Sequence, residues 1–339
     1  MATQVALELD QPLAPTPRAP LWRKLLMLAK AHPLGALGLM CVALMLFCAI
    51  GADFIMPYDP DAIQAGPVKE APTLEHPFGT DRLGGDVFSR TIFGARIAML
   101  IGLTSVIIGM SMGSTIGIIS GYFGGFIDSL IQRFVDALLA FPAVVLLLAI
   151  IAVIGDEDSA VRQFLSDSTP VPQGTVWGVP NFLDIFVISI GIGIAIAVGS
   201  ARVVRGAVLS LKENVYIEAA RAMGASDFRI MRRHILPNVL ALIVVLGTIF
   251  LPIAILAEAA ISFLGIGVPQ GTPSWGSDMA GPNRDDAINR GIWWVVFFPG
   301  FALSLVVLGF NLLGDSFRDI SDPRLRGSGM GGSSKPPGL

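Results

Sequence analysis

The sequence predicts an all-α membrane protein with six transmembrane helices and cytoplasmic N- and C-termini. Three observations carry this. The 339-residue chain is 53% hydrophobic and only 14% charged, with a mean hydropathy of +0.70, whereas soluble domains carry about 25% charged residues. Its apolar residues gather into long runs separated by polar connections. Its Lys and Arg residues favour alternate connections.

Residues 1–33 form an N-terminal tail, flexible over its first part because Pro12, Pro15, Pro17 and Pro20 crowd it. Arg23, Lys24 and Lys30 precede the first span, 34–55. Its helix is about 33 Å long, enough for a hydrocarbon core of about 30 Å. It is too long for the apolar core of a cleaved signal peptide, usually about 7–15 residues, and is read as retained. The polar connection 56–96 ends in HPFGTDRLGGDVFSRTIFGARI. Within it Val87, Phe88, Thr91, Ile92 and Ala95 have the spacing of an amphipathic helix, expected to lie on the outer membrane surface or to contact a partner.

The second span, 97–120, is charge-free and glycine-rich, and ends in GYFGG (121–125). Asp128, Arg133 and Asp136 precede the third span, 137–154, with Pro142 near its start. An acidic loop leads to the fourth span, 182–205, which has Arg202 and Arg205 at its exit. Glycines in spans two and four are expected to permit close helix packing. A charged loop, 210–237, separates this from the fifth span, 239–264. A Gly- and Pro-containing loop precedes the sixth span, 293–313, which opens on Trp293 and Trp294, read as interfacial anchors. Residues 314–339 are a polar C-terminal tail.

With the N-terminus inside, 16 of the 23 Lys and Arg residues fall on the cytoplasmic side, as the positive-inside rule requires. The loop 210–237 is then cytoplasmic. The net charge of −3 leaves no basic face for nucleic acid. Cys41 and Cys48 are too far apart along one helix for a disulfide. His32, His76 and His234 lack metal-ligand spacing, so no metal site is expected. No G-x-x-x-x-G-K-[ST] loop is present, so no P-loop binds ATP on this chain.

In the cytoplasmic loop, Glu213–Met223 contains good helix formers and no proline. Gly224 follows, as a left-handed helix stop. Ser226 is placed to cap a second helix, with Asp227 in its first turn. Phe228, Ile230, Met231 and Ile235 are expected to supply apolar contacts, and Pro237 to open the next membrane helix. Ala219, Ala220 and Ala222 leave the knob small enough for a partner's walls to approach closely, and Arg221, Arg229, Arg232 and Arg233 ring it with charge. The plain alternative is a solvated loop whose arginines only fix topology.

Glu218-Ala219-Ala220, Gly224, His234 and Leu236-Pro237 together resemble the EAA signature of ABC-importer transmembrane subunits. His234, where many members of the wider family carry an aliphatic residue, resembles the peptide/nickel branch. HPFGTDRLGGDVFSR (76–90), GYFGG (121–125), ISFLGIG (261–267), TPSWG (272–276) and NLLGDSFRDISDPRLR (311–326) resemble the C-type permease of that branch, and collinearly so.

This resemblance implies a type I ABC importer permease (MetI-like) fold in the cytoplasmic membrane. It implies half of a pore for di- or oligopeptides, with nickel or a nickel chelate as the alternative cargo. The implied partners are a B-type permease, two ATP-binding subunits that hold ATP and Mg, and an extracytoplasmic solute-binding protein. No cofactor is expected on this chain, which is read as a transport subunit and not an enzyme. Glu218, Ala219, Ala220, Arg221, Gly224, Ser226, His234, Leu236 and Pro237 would form the ATPase-coupling loop; Glu218 is also spaced to pair with Arg221.

Two further groups are candidates. Glu258 is the one carboxylate well inside an apolar span, with Ser262 one turn on. A charge there costs a few kcal/mol, so the pair either lines a translocation path or makes a structural hydrogen bond. Ser274, Trp275 and Gly276 are placed as an outer gate or docking element, or as an interfacial anchor. A stand-alone secondary transporter or channel is the rival class; it would need more intramembrane charge than Glu258 and an inverted repeat.

Overall fold

The computed structural model describes residues 30, 32–155, 159–168, 175, 177–269 and 271–321; most of both tails lies outside them. The long helices are α1 (Pro33–Ile55), α2 (Val87–Phe123), α6 (Phe182–Lys212), α9 (Leu236–Phe263) and α12 (Trp294–Ser321). Shorter ones are α3 (Gly125–Leu139), α4 (Ala143–Ile154), α5 (Ala160–Ser168), α7 (Val215–Ala222), α8 (Asp227–Ile230), α10 (Trp275–Asp278) and α11 (Gly281–Arg290). Among the described residues, five helical stretches are each long and apolar enough to cross a membrane.

The expected third span is broken. α3 and α4 meet at 99° across Phe141-Pro142. Pro142 disfavours a helical residue before it and cannot donate a backbone bond. α4 alone rises only about 18 Å, so the pair makes a sixth span only if both arms count. α3 is amphipathic and is held by charge: Arg205 grips Asp128 at 2.5 and 2.6 Å, and Arg202 pairs with Asp136.

The second span begins ten residues earlier than expected. Val87–Arg96 is not a surface helix but the buried first part of α2. Its polar residues are all answered inside: Asp86 caps Ser89, and Thr91 donates to the Val87 carbonyl. Arg96 is completely buried between the Asp53 carboxylate and the carbonyls of Ala49 and Trp177. The expected amphipathic pattern was real, but both faces meet protein.

α2 and α6 form the centre. Gly109, Gly113, Gly117 and Gly121 recur at every fourth position along one ridge of α2. A Cβ on Gly109, Gly113 or Gly117 would stand 2.6–2.7 Å from the backbone carbonyls of Gly193, Ala197 or Ala201. Removing side chains from this ridge lets the backbones touch, which is how helices associate where lipid supplies no hydrophobic drive. α1 and α12 meet through a second small-residue seam, where a Cβ on Gly38 would lie 2.7 Å from the Gly309 carbonyl.

The 56–86 connection closes one end of the bundle. His76 is buried, stacks on Tyr58 with ring centres 5.0 Å apart, and bonds Asp86 at 2.9 Å. Asp81 turns its own loop by accepting from the Leu83 and Gly85 amides. Trp294, expected at the interface, is instead buried and donates to the Thr80 carbonyl at 3.0 Å. Its neighbour Trp293 is the exposed member of the pair.

Candidate functional site

At the opposite end, α7 and α8 form the expected bent knob. The Ala225 amide reaches the Ala220 carbonyl at 3.0 Å and the Gly224 amide the Arg221 carbonyl at 2.9 Å. This 6→1 and 5→2 pairing closes the helix, with Gly224 at φ 80°. Ser226 occupies the N-cap of α8 in extended backbone, but its side chain makes no capping bond. Ile217, Ala220, Ile230 and Ile235 turn inward. Phe228, expected among those contacts, is 68% exposed, so the apolar support comes from the isoleucines.

Glu218, Ala219, Arg221, Gly224, Leu236 and Pro237 all lie on the exposed surface. The spacing-allowed Glu218–Arg221 ion pair is not formed among the described residues. Arg221 lies over the Tyr122 ring instead, 5.9 Å from its centre, and the Tyr122 hydroxyl donates to Asp227 at 2.5 Å. His234 leans on Tyr216, with ring centres 6.3 Å apart, tying α7 to the segment beyond α8. Sequence reasoning missed Tyr122; its only signal was a lone tyrosine inside GYFGG at the end of an apolar run.

Pro237 shapes the exit. It has no amide to give, and its ring crowds the carbonyl four residues back. The chain answers with a π-turn over Met231–Ile235, in which the Leu236 amide bonds Met231. The helix is therefore continuous in direction from Asp227 to Phe263.

The other two candidate groups come together at the far end. Glu258 is 1% exposed and accepts from the Ser262 hydroxyl at 2.8 Å; the Ser274 hydroxyl also reaches its carboxyl. The Ser262 oxygen accepts in turn from the Val268 amide, fixing the turn after α9. Gly276 lies directly on α9, since a Cβ there would stand 2.3 Å from the Ala259 carbonyl. Trp275 is buried against Gly94 and donates to the Thr91 carbonyl at 2.9 Å, so an interfacial anchor is excluded for it. One residue pair locks the assembly: Arg90 binds Asp278, whose second oxygen has no hydrogen-bond partner among the described residues. Burial pushes the Asp278 carboxyl above its usual range, with the Arg90 guanidinium pulling the other way.

A family model described as the binding-protein-dependent transport system inner membrane component matches residues 113–327. The chain belongs to this family. A second model, the N-terminal transmembrane domain of oligopeptide transport permease C, matches residues 21–72. This permease is 39% identical over 293 residues to a putative peptide transport system permease protein of Brucella suis, covering 86% of this chain and 88% of the relative. It is 37% identical over 312 residues to a glutathione transport system permease protein of Pectobacterium atrosepticum, covering 92% of each. It is 35% identical over 305 residues to a dipeptide transport system permease protein of Alkalihalophilus pseudofirmus, covering 90% of each. The permease is thus an inner-membrane transport component, in a type of system whose ATPase lies on partner subunits. The matched region contains the knob, Tyr122 and Glu258 together.

Proposed function

We propose that this permease forms half of the pathway of an ATP-driven importer of di- and oligopeptides, with the α7–α8 knob as the port for a separate ATPase subunit. The observation that carries the coupling is mechanical. The knob is bonded to the end of α2 through Tyr122–Asp227 and runs without a break in direction into α9. A pull on it moves two membrane helices at once. Nucleotide-driven closure of the ATPases would then bias a two-state rocking of packed helices.

The exposed Glu218, Ala219 and Ala222 and the bare Gly224 suit a cleft that must meet backbone closely, while Ala220 is buried beneath them. A cytoplasmic knob follows from the positive-inside distribution and places both termini inside. A B-type permease, two ATPases and a solute-binding protein complete the machine in this reading. Peptide cargo is supported by the relatives, one named for dipeptides and one for glutathione, itself a tripeptide.

The test is reconstitution of the full complex in proteoliposomes with a dipeptide. ATP-dependent uptake is expected, and Glu218→Arg abolishes it at unchanged permease level. Uptake at the normal rate by that variant, or by this chain without ATPases, overturns the coupling role.

A further inference from the structure

At the end of the bundle opposite the knob, α4, α5, α6 and the turn after α9 line an open cavity of about 260 Å³. Its floor is apolar: Ile151, Val187 and Ile188 are each no more than 5% exposed. At its rim Arg162 and Asp184 pair at 2.6 Å, with side chains 21% and 25% exposed. A second Arg162 bond, to the Gly155 carbonyl at 3.2 Å, holds the guanidinium at the end of α4. The remaining wall carries Ile266, from the turn fixed by the Glu258–Ser262–Val268 chain of hydrogen bonds. The buried carboxyl therefore acts on the cavity by holding its wall.

We propose that this cavity is a seat for a zwitterionic dipeptide, or for one end of a longer peptide, with the free amino group taken by Asp184, the terminal carboxylate by Arg162, and an apolar side chain by the floor. Three features select that class. The volume lies below the range of about 300–1,000 Å³ that engulfs drug-sized ligands, which suits a ligand of dipeptide size. The rim presents one charge of each sign side by side, the pattern that a zwitterion complements and a singly charged solute does not. A guanidinium has five donors and a carboxylate about four acceptor sites, more than their mutual contact uses, so each can take a ligand group without first being freed. An ion pair set over an apolar floor is also only partly solvated, which strengthens its hold on a ligand charge.

The seat rests on the peptide-import reading, and the two fail separately. The experiment uses the assembled transporter in proteoliposomes, with the binding protein saturated by each ligand so that its own affinity drops out. The ligands are alanyl-phenylalanine, its N-acetyl derivative and its C-terminal amide. Failure of the wild-type complex to import any of them defeats the peptide reading itself. With import established, wild type is expected to favour the unblocked dipeptide. Asp184→Asn removes the discrimination against the acetylated ligand, and Arg162→Gln that against the amide. Each variant slows the unblocked dipeptide about tenfold, the order of losing one hydrogen bond to a partly exposed charged group. The conservative Asp184→Glu and Arg162→Lys keep the discrimination, which separates ligand reading from misfolding. The double exchange Arg162→Asp with Asp184→Arg keeps an ion pair at the rim with its polarity reversed, without the bond to the Gly155 carbonyl. Wild-type uptake by that double variant overturns the proposal, as do equal wild-type rates for all three ligands.

Discussion

Arg96 and Asp53 meet through two parallel contacts of 3.0 Å, with the guanidinium wholly buried and the carboxylate 61% exposed. The pair joins the end of α1 to the beginning of α2, and the same arginine bonds the Ala49 and Trp177 carbonyls. Trp177 also lies under the guanidinium, 4.9 Å from its ring centre. One side chain therefore fixes three segments at the end of the bundle opposite the knob.

The two partners should not be equally sensitive. Arg96→Ala leaves a cavity and strips two carbonyls and a carboxylate of their donor, a loss of about 3–5 kcal/mol by analogy with broken buried pairs. Asp53→Ala leaves the buried Arg96 charge with only its carbonyl bonds, so about 2–3 kcal/mol is expected, less than for Arg96→Ala because water can enter where the exposed carboxylate stood. Thermal unfolding of the detergent-solubilised permease reads both. An Arg96→Ala protein melting with wild type would sink this assignment.

The glycine ridge of α2 predicts a contrast within one helix pair. Gly113→Val drives a side chain into the Ala197 backbone and the Ser200 hydroxyl, and overpacking of this kind costs about 1–3 kcal/mol or more. Gly206, on an open face of α6, has nothing within 4 Å of an added Cβ. Gly206→Ala should be neutral or stabilise by up to about 1 kcal/mol, since alanine is the better helix former. Equal melting temperatures for the two variants would refute the close approach.

The first span was legible because apolar length is a direct readout of the bilayer, and Pro33–Ile55 starts one residue before the expected 34. The α2–α6 glycine seam was legible because small residues repeat at helical spacing in spans two and four, whereas the Gly38–Gly309 seam was not read. Val87–Arg96 was misread because Ser89, Arg90 and Arg96 look like a wet face. Polarity in sequence says that a group needs a partner, not that the partner is water, and Asp53 lies 43 residues away from Arg96. Trp294 misled in the same way, its indole bonding Thr80 and not the membrane interface. Pro142 stood near the start of an expected continuous span, and neither the break nor its 99° direction was read, since α3 is held by Arg202 and Arg205 from another helix. In the knob, Gly224 was readable from local chemistry, whereas the Tyr122 contact depends on how α2 ends.

Gly224 at φ 80° with open space around it separates backbone from packing. Gly224→Asn should keep the closure, because asparagine tolerates the left-handed region. Gly224→Pro fixes φ near −65° and removes the amide that bonds Arg221, so the knob should lose its shape while the membrane helices stay folded. The expected signature is ATP hydrolysis without peptide uptake in the proline variant, at wild-type permease level. Full uptake by Gly224→Pro would show that the closure is dispensable.

Glu258 offers the sharpest division between charge and position. Its carboxyl is sealed among Ser262, Ser274 and the turn that Val268 anchors, with no open face toward solvent in this chain. A group in that setting works through an acceptor oxygen of the right shape, which an amide also provides. Glu258→Gln should then import at the wild-type rate with unchanged selectivity. Glu258→Ala leaves the Ser262 hydroxyl without its acceptor, at a cost of about 1–3 kcal/mol, and loosens the Val268 turn. Uptake by the alanine variant should fall together with its thermal stability. The opposite pattern, a glutamine variant that melts normally but does not transport, would mean that the ionised carboxylate itself is read during the cycle. The turn would then have to open to expose it, and Glu258 would belong to the path and not to its wall.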